Sequence, residues 1–108
     1  LDQLGPRSAL RELLAGTMTS VYPPTTATAV TTLMSGLAPQ QHGLTGWFMH
    51  FRKLGAVTAV LPFMPRYTRA TIASAGVPLP AVVDTPSFCA GVDGASTALL
   101  PAFIADSD

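Results

Sequence analysis

A chain of 108 residues is enough for one small domain and short for two. Six basic residues balance six acidic ones, and only 11% of residues are charged while 48% are hydrophobic. That composition gives no electrostatic footprint for a nucleic-acid polymer, an anionic membrane surface or any other polyanion.

The expected elements follow in chain order. Pro6 suits the first position of a helix, and "RSALRELLAG" places Leu10, Leu13 and Leu14 on one face with Gly16 as the stop. Residues 17–22, "TMTSVY", alternate Met18, Ser20 and Tyr22 against Thr17, Thr19 and Val21, and read as a short strand ended by Pro23-Pro24. From about Thr26 the apolar residues Val30, Leu33, Met34 and Leu37 recur at helical spacing, closed by Gly36 and Pro39. "APQQHGLTG" reads as loop. "WFMHF" and "GAVTAVLPF" read as two strands, the second more buried. A polar link, "MPRYTRA", leads to a weak helical segment over residues 69–75. The stretch from Gly76 to Gly94 is mostly irregular, punctuated by Pro78, Pro80, Pro86 and Gly91. "ASTALLPAFIADSD" holds a last strand, weakened by Pro101. Alternating strands and helices predict an α/β sandwich.

From Leu13 to Phe51 there is no Asp, Glu, Lys or Arg. A surface needs charge to stay solvated, so much of this stretch is expected to be buried against something. A bilayer is not that partner, because prolines, glycines and hydroxyls interrupt every run before the about 20 apolar residues of a span. No signal peptide is visible, which favours the cytoplasm. The opening "LDQLGP" reads as the middle of an element, so the chain is expected to be a piece of a larger protein that hides its apolar face by self-association or against the rest. The single Cys89 allows no internal disulfide and reads as a packed small residue.

The stretch that asks for chemistry is "SVYPPTTATAVTTLMSG", residues 20–36, with paired hydroxyls at a helix mouth and no charge nearby. Threonine is a good N-cap, its oxygen accepting a backbone N–H of the first turn. The same helix start offers free N–H donors and the positive end of a dipole, which suit a phosphate. A threonine there attacks phosphorus if a base or a metal removes its proton. Spacing leaves both readings open.

Residues 19–47 resemble the nucleophile region of the alkaline phosphatase superfamily, and more closely its branch of type I phosphodiesterases and nucleotide pyrophosphatases. The landmarks are Tyr22-Pro23, Thr25-Thr26, Ser35-Gly36, Pro39 and His42-Gly43, in order over 22 positions, with a weaker likeness through residues 49–62. The resemblance implies an alkaline-phosphatase-like α/β sandwich with a mostly parallel central sheet, of which residues 1–108 are an N-terminal portion. It also implies hydrolysis of phosphate esters or nucleotides through a phospho-threonine. In the family the nucleophile stands nine positions before the hydroxyl residue of the small-Gly ending, which from Ser35 is Thr26, with Thr25 as the fallback. Related nucleotide pyrophosphatases carry a phosphate-touching Asn near the position of Trp47. An indole does not donate in that way, and Trp47 is expected to stack on a base or close the pocket. His42 is expected to fix a loop by hydrogen bonds, and His50 to be a packed or surface strand residue.

The family holds two zinc ions with Asp and His ligands upstream and downstream of the nucleophile. Asp2, 24 residues before Thr26, is expected to follow the first ligand. Asp84, Asp93, Asp106 and Asp108 have no histidine beyond residue 50 to join them. A two-metal site needs a dense ligand set, so no residue of this chain is assigned to metal. The alternative is a non-catalytic α/β interaction domain whose threonines only cap a helix.

Overall fold

The computed structural model describes residue 5, residues 8–97 and residue 99. Three short helices come first: α1 Ala9–Glu12, α2 Thr26–Ser35 and α3 Pro39–His42. The strands follow: β1 Phe48–Phe51, β2 Ala56–Ala59 and β3 Met64–Pro65. Three 3-10 turns close the series, at Ala73–Ala75, Leu79–Ala81 and Phe88–Gly91.

The strands form one antiparallel sheet in the order β1-β2-β3. Phe48 faces Ala59 and Phe51 faces Ala56 across the first pair, and Thr58 faces Pro65 across the second. The chain is thus a small α/β structure, while its described sheet is antiparallel where a mostly parallel one was expected. Alternation sends Met49 and Phe51 towards the helices and leaves Phe48 and His50 on the exposed face. There the Arg66 guanidinium lies 5.1 Å from the Phe48 ring centre.

Both strands read from "WFMHF" and "GAVTAVLPF" form. β3 arises where the sequence suggested only a link, because Met64 and Pro65 extend the ladder at its edge, a position where proline is tolerated. The expected loop 38–46 contains α3, which starts on Pro39 and is steadied by the Gln41 side chain accepting the Ala38 N–H at 2.8 Å. The helical segment over 69–75 shrinks to one 3-10 turn.

Upstream of α2 the expectations fail. Residues 17–22 pair with no strand among the described residues, and Met18 is 96% exposed. Strand propensity reflects packing on a sheet, and here no ladder receives the segment. The first helix is a single turn whose Leu10 is exposed, and beyond it Leu13 is 81% exposed and Leu14 is exposed as well. Four residues of helix are not stable by themselves in water. Pro6 and most of the expected final strand, with Pro101, lie outside the described residues.

The core is small. Ala27, Leu44 and Val60 form its centre, with Trp47, Met49, Phe51, Leu61 and Val83 packed around them. The radius of gyration, 16.2 Å, exceeds the about 13 Å of a compact domain of 100 residues. The expected burial of residues 13–51 is met in full only at Ala27, Thr28, His42 and Leu44, and Leu33 is 72% exposed.

Candidate active site at the mouth of the second helix

Thr25 and Thr26 divide the helix start between them. Thr25 has extended geometry, φ −96° and ψ 152°, and is the N-cap of α2. Its Oγ1 accepts the Thr28 N–H at 3.3 Å and lies 2.8 Å from Thr28 Oγ1. Thr26 is the first helical residue, is exposed, and its hydroxyl has no partner among the described residues. Ala27 and Thr28, the next two residues, are completely buried. They anchor the first turn from below while Thr26 stands out of it. No acidic side chain occupies that turn, so nothing competes with an anion at the positive end of the helix.

The far end of α2 is closed by local chemistry. The Ser35 hydroxyl donates to the Thr31 carbonyl at 2.6 Å and accepts the Leu37 N–H at 3.1 Å. Gly36 then takes the left-handed conformation, φ 72°, that a helix C-cap requires.

His42 fastens this helix to the core. Its Nδ1 accepts the Leu44 N–H at 3.0 Å, and Nε2 lies 3.0 Å from Thr32 Oγ1. A backbone N–H only donates, so the neutral ring carries its proton on Nε2 and donates it to Thr32. Burial holds the His42 pKa below the ordinary value of 6.5 by penalising the charged form. With both nitrogens engaged the ring is a fastener and not a base, the role expected of it. His50 is exposed on β1, opposite Val57.

Trp47 is half-buried against the Ala27–Leu44–Val60 cluster, and its carbonyl accepts the Val60 N–H at 2.9 Å. The same cluster includes Ala27, the residue that follows Thr26. A cavity of about 460 Å³ runs along another side of α2, lined by Val30, Met34, Phe51, Phe63, Val83 and Asp84 among others. Neither Thr26 nor Trp47 lines it. Cys89 is half-buried with a free thiol.

Among the described residues no three His, Cys, Asp or Glu side chains come together as a metal would need. Asp2, Asp106 and Asp108 lie outside the described residues. The described residues do not fit a two-zinc centre.

The sequence reading missed the Thr25–Thr28 hydroxyl pair and the Thr32–His42 link. A hydroxyl at an N-cap with a second one three positions on was the available signal for the first. The second joins residues ten apart and had no local signal.

Residues 7–84 match the family model of type I phosphodiesterase / nucleotide pyrophosphatase. The chain belongs to this family, whose activity is that of a phosphoric ester hydrolase. No curated protein and no solved structure matches it. No helix among the described residues is long and apolar enough to cross a membrane.

Proposed function

We propose that the chain is the nucleophile-bearing portion of a phosphodiesterase or nucleotide pyrophosphatase catalytic domain, in which Thr26 attacks the phosphorus of a phosphate ester. The observation that carries this reading is the division of labour at the helix mouth. Thr25 caps the helix, which leaves the Thr26 hydroxyl exposed and free in a family that cleaves phosphate esters.

In the reaction, a base takes the Thr26 proton, the Thr26 Oγ1–phosphorus bond forms and the bond to the leaving oxygen breaks. The leaving group departs as an alcohol or a phosphate after gaining a proton. Water then attacks the phospho-threonine, releasing the phosphorylated product and restoring the hydroxyl. The positive end of α2 steadies the charge that develops on the phosphoryl oxygens. Trp47, packed against the core cluster to which Ala27 of α2 belongs, stacks on an aromatic part of the substrate, such as a base. Nothing among the described residues bonds to Thr26 as a base, so its activating group lies outside the described residues. The same holds for the two zinc ions that the likeness implies and for a mostly parallel sheet continuing the fold.

The test is substitution in the full-length protein. Thr26→Ala is expected to abolish hydrolysis of a chromogenic phosphodiester while Thr26→Ser keeps part of it, with little change in melting temperature for either. A Thr26→Ala protein that folds and turns over normally removes Thr26 from the mechanism. The isolated 108-residue chain, with no metal-ligand cluster among its described residues, is expected to be inactive even with added zinc.

A further inference from the structure

The cavity of about 460 Å³ beside α2 is built by three parts of the fold. Val30 and Met34 of α2 form one wall, Phe51 and Phe63 a second, and the segment over residues 79–87 supplies a third. That third wall is pinned from across the fold, where Lys53 Nζ donates to the Ala81 carbonyl at 2.9 Å. Phe63 is 1% exposed and holds φ at 43°, a conformation that side chains seldom adopt. Such strain persists only where the surroundings impose it, and it collects at ligand sites. The volume lies within the about 300–1,000 Å³ usual for small-molecule pockets, which are mainly apolar with a few polar groups.

Two polar groups of the lining, Ser35 and Ser87, are bonded to nearby backbone. Asp84 is the one charged residue in the lining, and its carboxylate has no partner among the described residues. Beside it the Thr85 hydroxyl is buried with no hydrogen-bond partner among those residues. A buried hydroxyl left unmet is uncommon, and it puts a second polar demand next to the carboxylate.

From this we infer that the cavity binds an apolar amine, its aryl or alkyl body among the apolar walls and its ammonium paired with Asp84. An ammonium carries three donors, so it serves the Thr85 hydroxyl as well as the carboxylate. A carboxylic acid with the same body meets a like charge instead, and a neutral alcohol gains no charge pairing. Neither Thr26 nor Trp47 lines the cavity, so this site does not depend on the reading of Thr26 as nucleophile.

The experiment titrates phenylbutylamine, phenylbutanol and phenylbutanoate into the full-length protein by calorimetry at low ionic strength. The three share a body and differ in the charge of the terminal group. The amine is expected to bind about threefold to fivefold more tightly than the alcohol, as an exposed ion pair allows, and the carboxylate most weakly. Asp84→Asn breaks no bond among the described residues and is expected to remove the preference while leaving the alcohol unchanged. Thr85→Val is expected to remove a smaller part of it. Met34→Trp, which fills the cavity from α2, is expected to abolish binding of all three. An amine bound no better than the alcohol, or a preference that survives Asp84→Asn, overturns the inference. Undiminished binding to a folded Met34→Trp overturns it as well. Thr26→Ala is expected to bind the amine like the wild type, and a loss there overturns a site separate from the helix mouth.

Discussion

Residues 9–22 and residues 25–44 are alike on paper and different in the folded chain. Each is rich in apolar and hydroxyl side chains, and from Leu13 on neither carries a charge. The second region is knitted by its own polar groups. Thr25 binds Thr28, Ser35 binds Thr31 and Leu37, and His42 binds Thr32 and Leu44. Those bonds set Ala27 and Leu44 into the core with Val60. From Leu13 to Tyr22 the first region shows no such side-chain bond among the described residues, and Leu10, Leu13, Met18 and Tyr22 stand exposed. Apolar content thus makes burial favourable without deciding where it occurs. Side chains that close helices and fix turns decide it, because they settle the entropy of the backbone before the apolar groups meet.

The sharpest way to break the contrast is to cut the His42 fastener. His42→Leu keeps the volume and the apolar surroundings but strands the buried Leu44 N–H and releases Thr32. The expected loss is about 1–3 kcal/mol of unfolding free energy, read from denaturant melts of the full-length protein. The same residue gives a pH signature. Its folded pKa is lowered from 6.5, so between these two values the unfolded state binds more protons than the folded one. The contribution is fully present above 6.5 and is lost as pH falls through the folded value. Melts from about pH 7 to about pH 5 are expected to show declining stability in the wild type and a flatter line in His42→Leu. A wild type whose stability rises on acidification through that window contradicts the assignment.

The regions also differ in how much of them could be read from sequence. The start and stop of α2 were legible because both are local: a threonine cap, a helical stripe, and a glycine for the left-handed turn. Thr26 could be singled out by the family likeness, and the cap at Thr25 then accounts for its neighbour. Residues 17–22 were misread because a strand exists only through a partner, and alternation does not say whether one is available. β3 was missed for the converse reason. Pro65 argues against a strand locally, yet the β2 edge makes room for it. The Thr32–His42 link joins α2 to α3 and exists only once both helices are placed. What lies within about one turn of the chain was legible, and what depends on a distant partner was not.

A gentler cut sharpens the claim that local closure matters. Gly36 has φ 72°, a conformation costly for any side chain, and an added Cβ meets nothing nearer than the Phe88 Cβ at 4.0 Å. Gly36→Ala therefore tests backbone geometry with no steric clash mixed in. The expected cost is about 1–2 kcal/mol, seen as a lower denaturation midpoint with an unchanged slope. Gly36→Asn, which tolerates the left-handed region better, is expected to recover part of it. A silent Gly36→Ala means that α2 frays at its end and that the Ser35 closure contributes little.

The smallest expected effect on stability belongs to the exposed region, where it is the most telling. Leu13 is 81% exposed and Met18 is 96% exposed, and neither is bonded into the core. Replacing both, as Leu13→Lys with Met18→Lys, removes apolar surface from water without touching a packed contact. In the 108-residue chain the melting curve is expected to move by no more than about 0.5 kcal/mol. Contiguous exposed apolar surface drives association, and the chain's net charge of zero offers no repulsion to oppose it. The unmodified chain is therefore expected to sediment as a dimer or larger at tens of micromolar, and the double variant as a monomer. An unmodified chain that sediments as a clean monomer refutes the idea that residues 9–22 are an interface in want of a partner. A double variant that loses several kcal/mol refutes the contrast itself, because these side chains would then belong to the same core as residues 25–44.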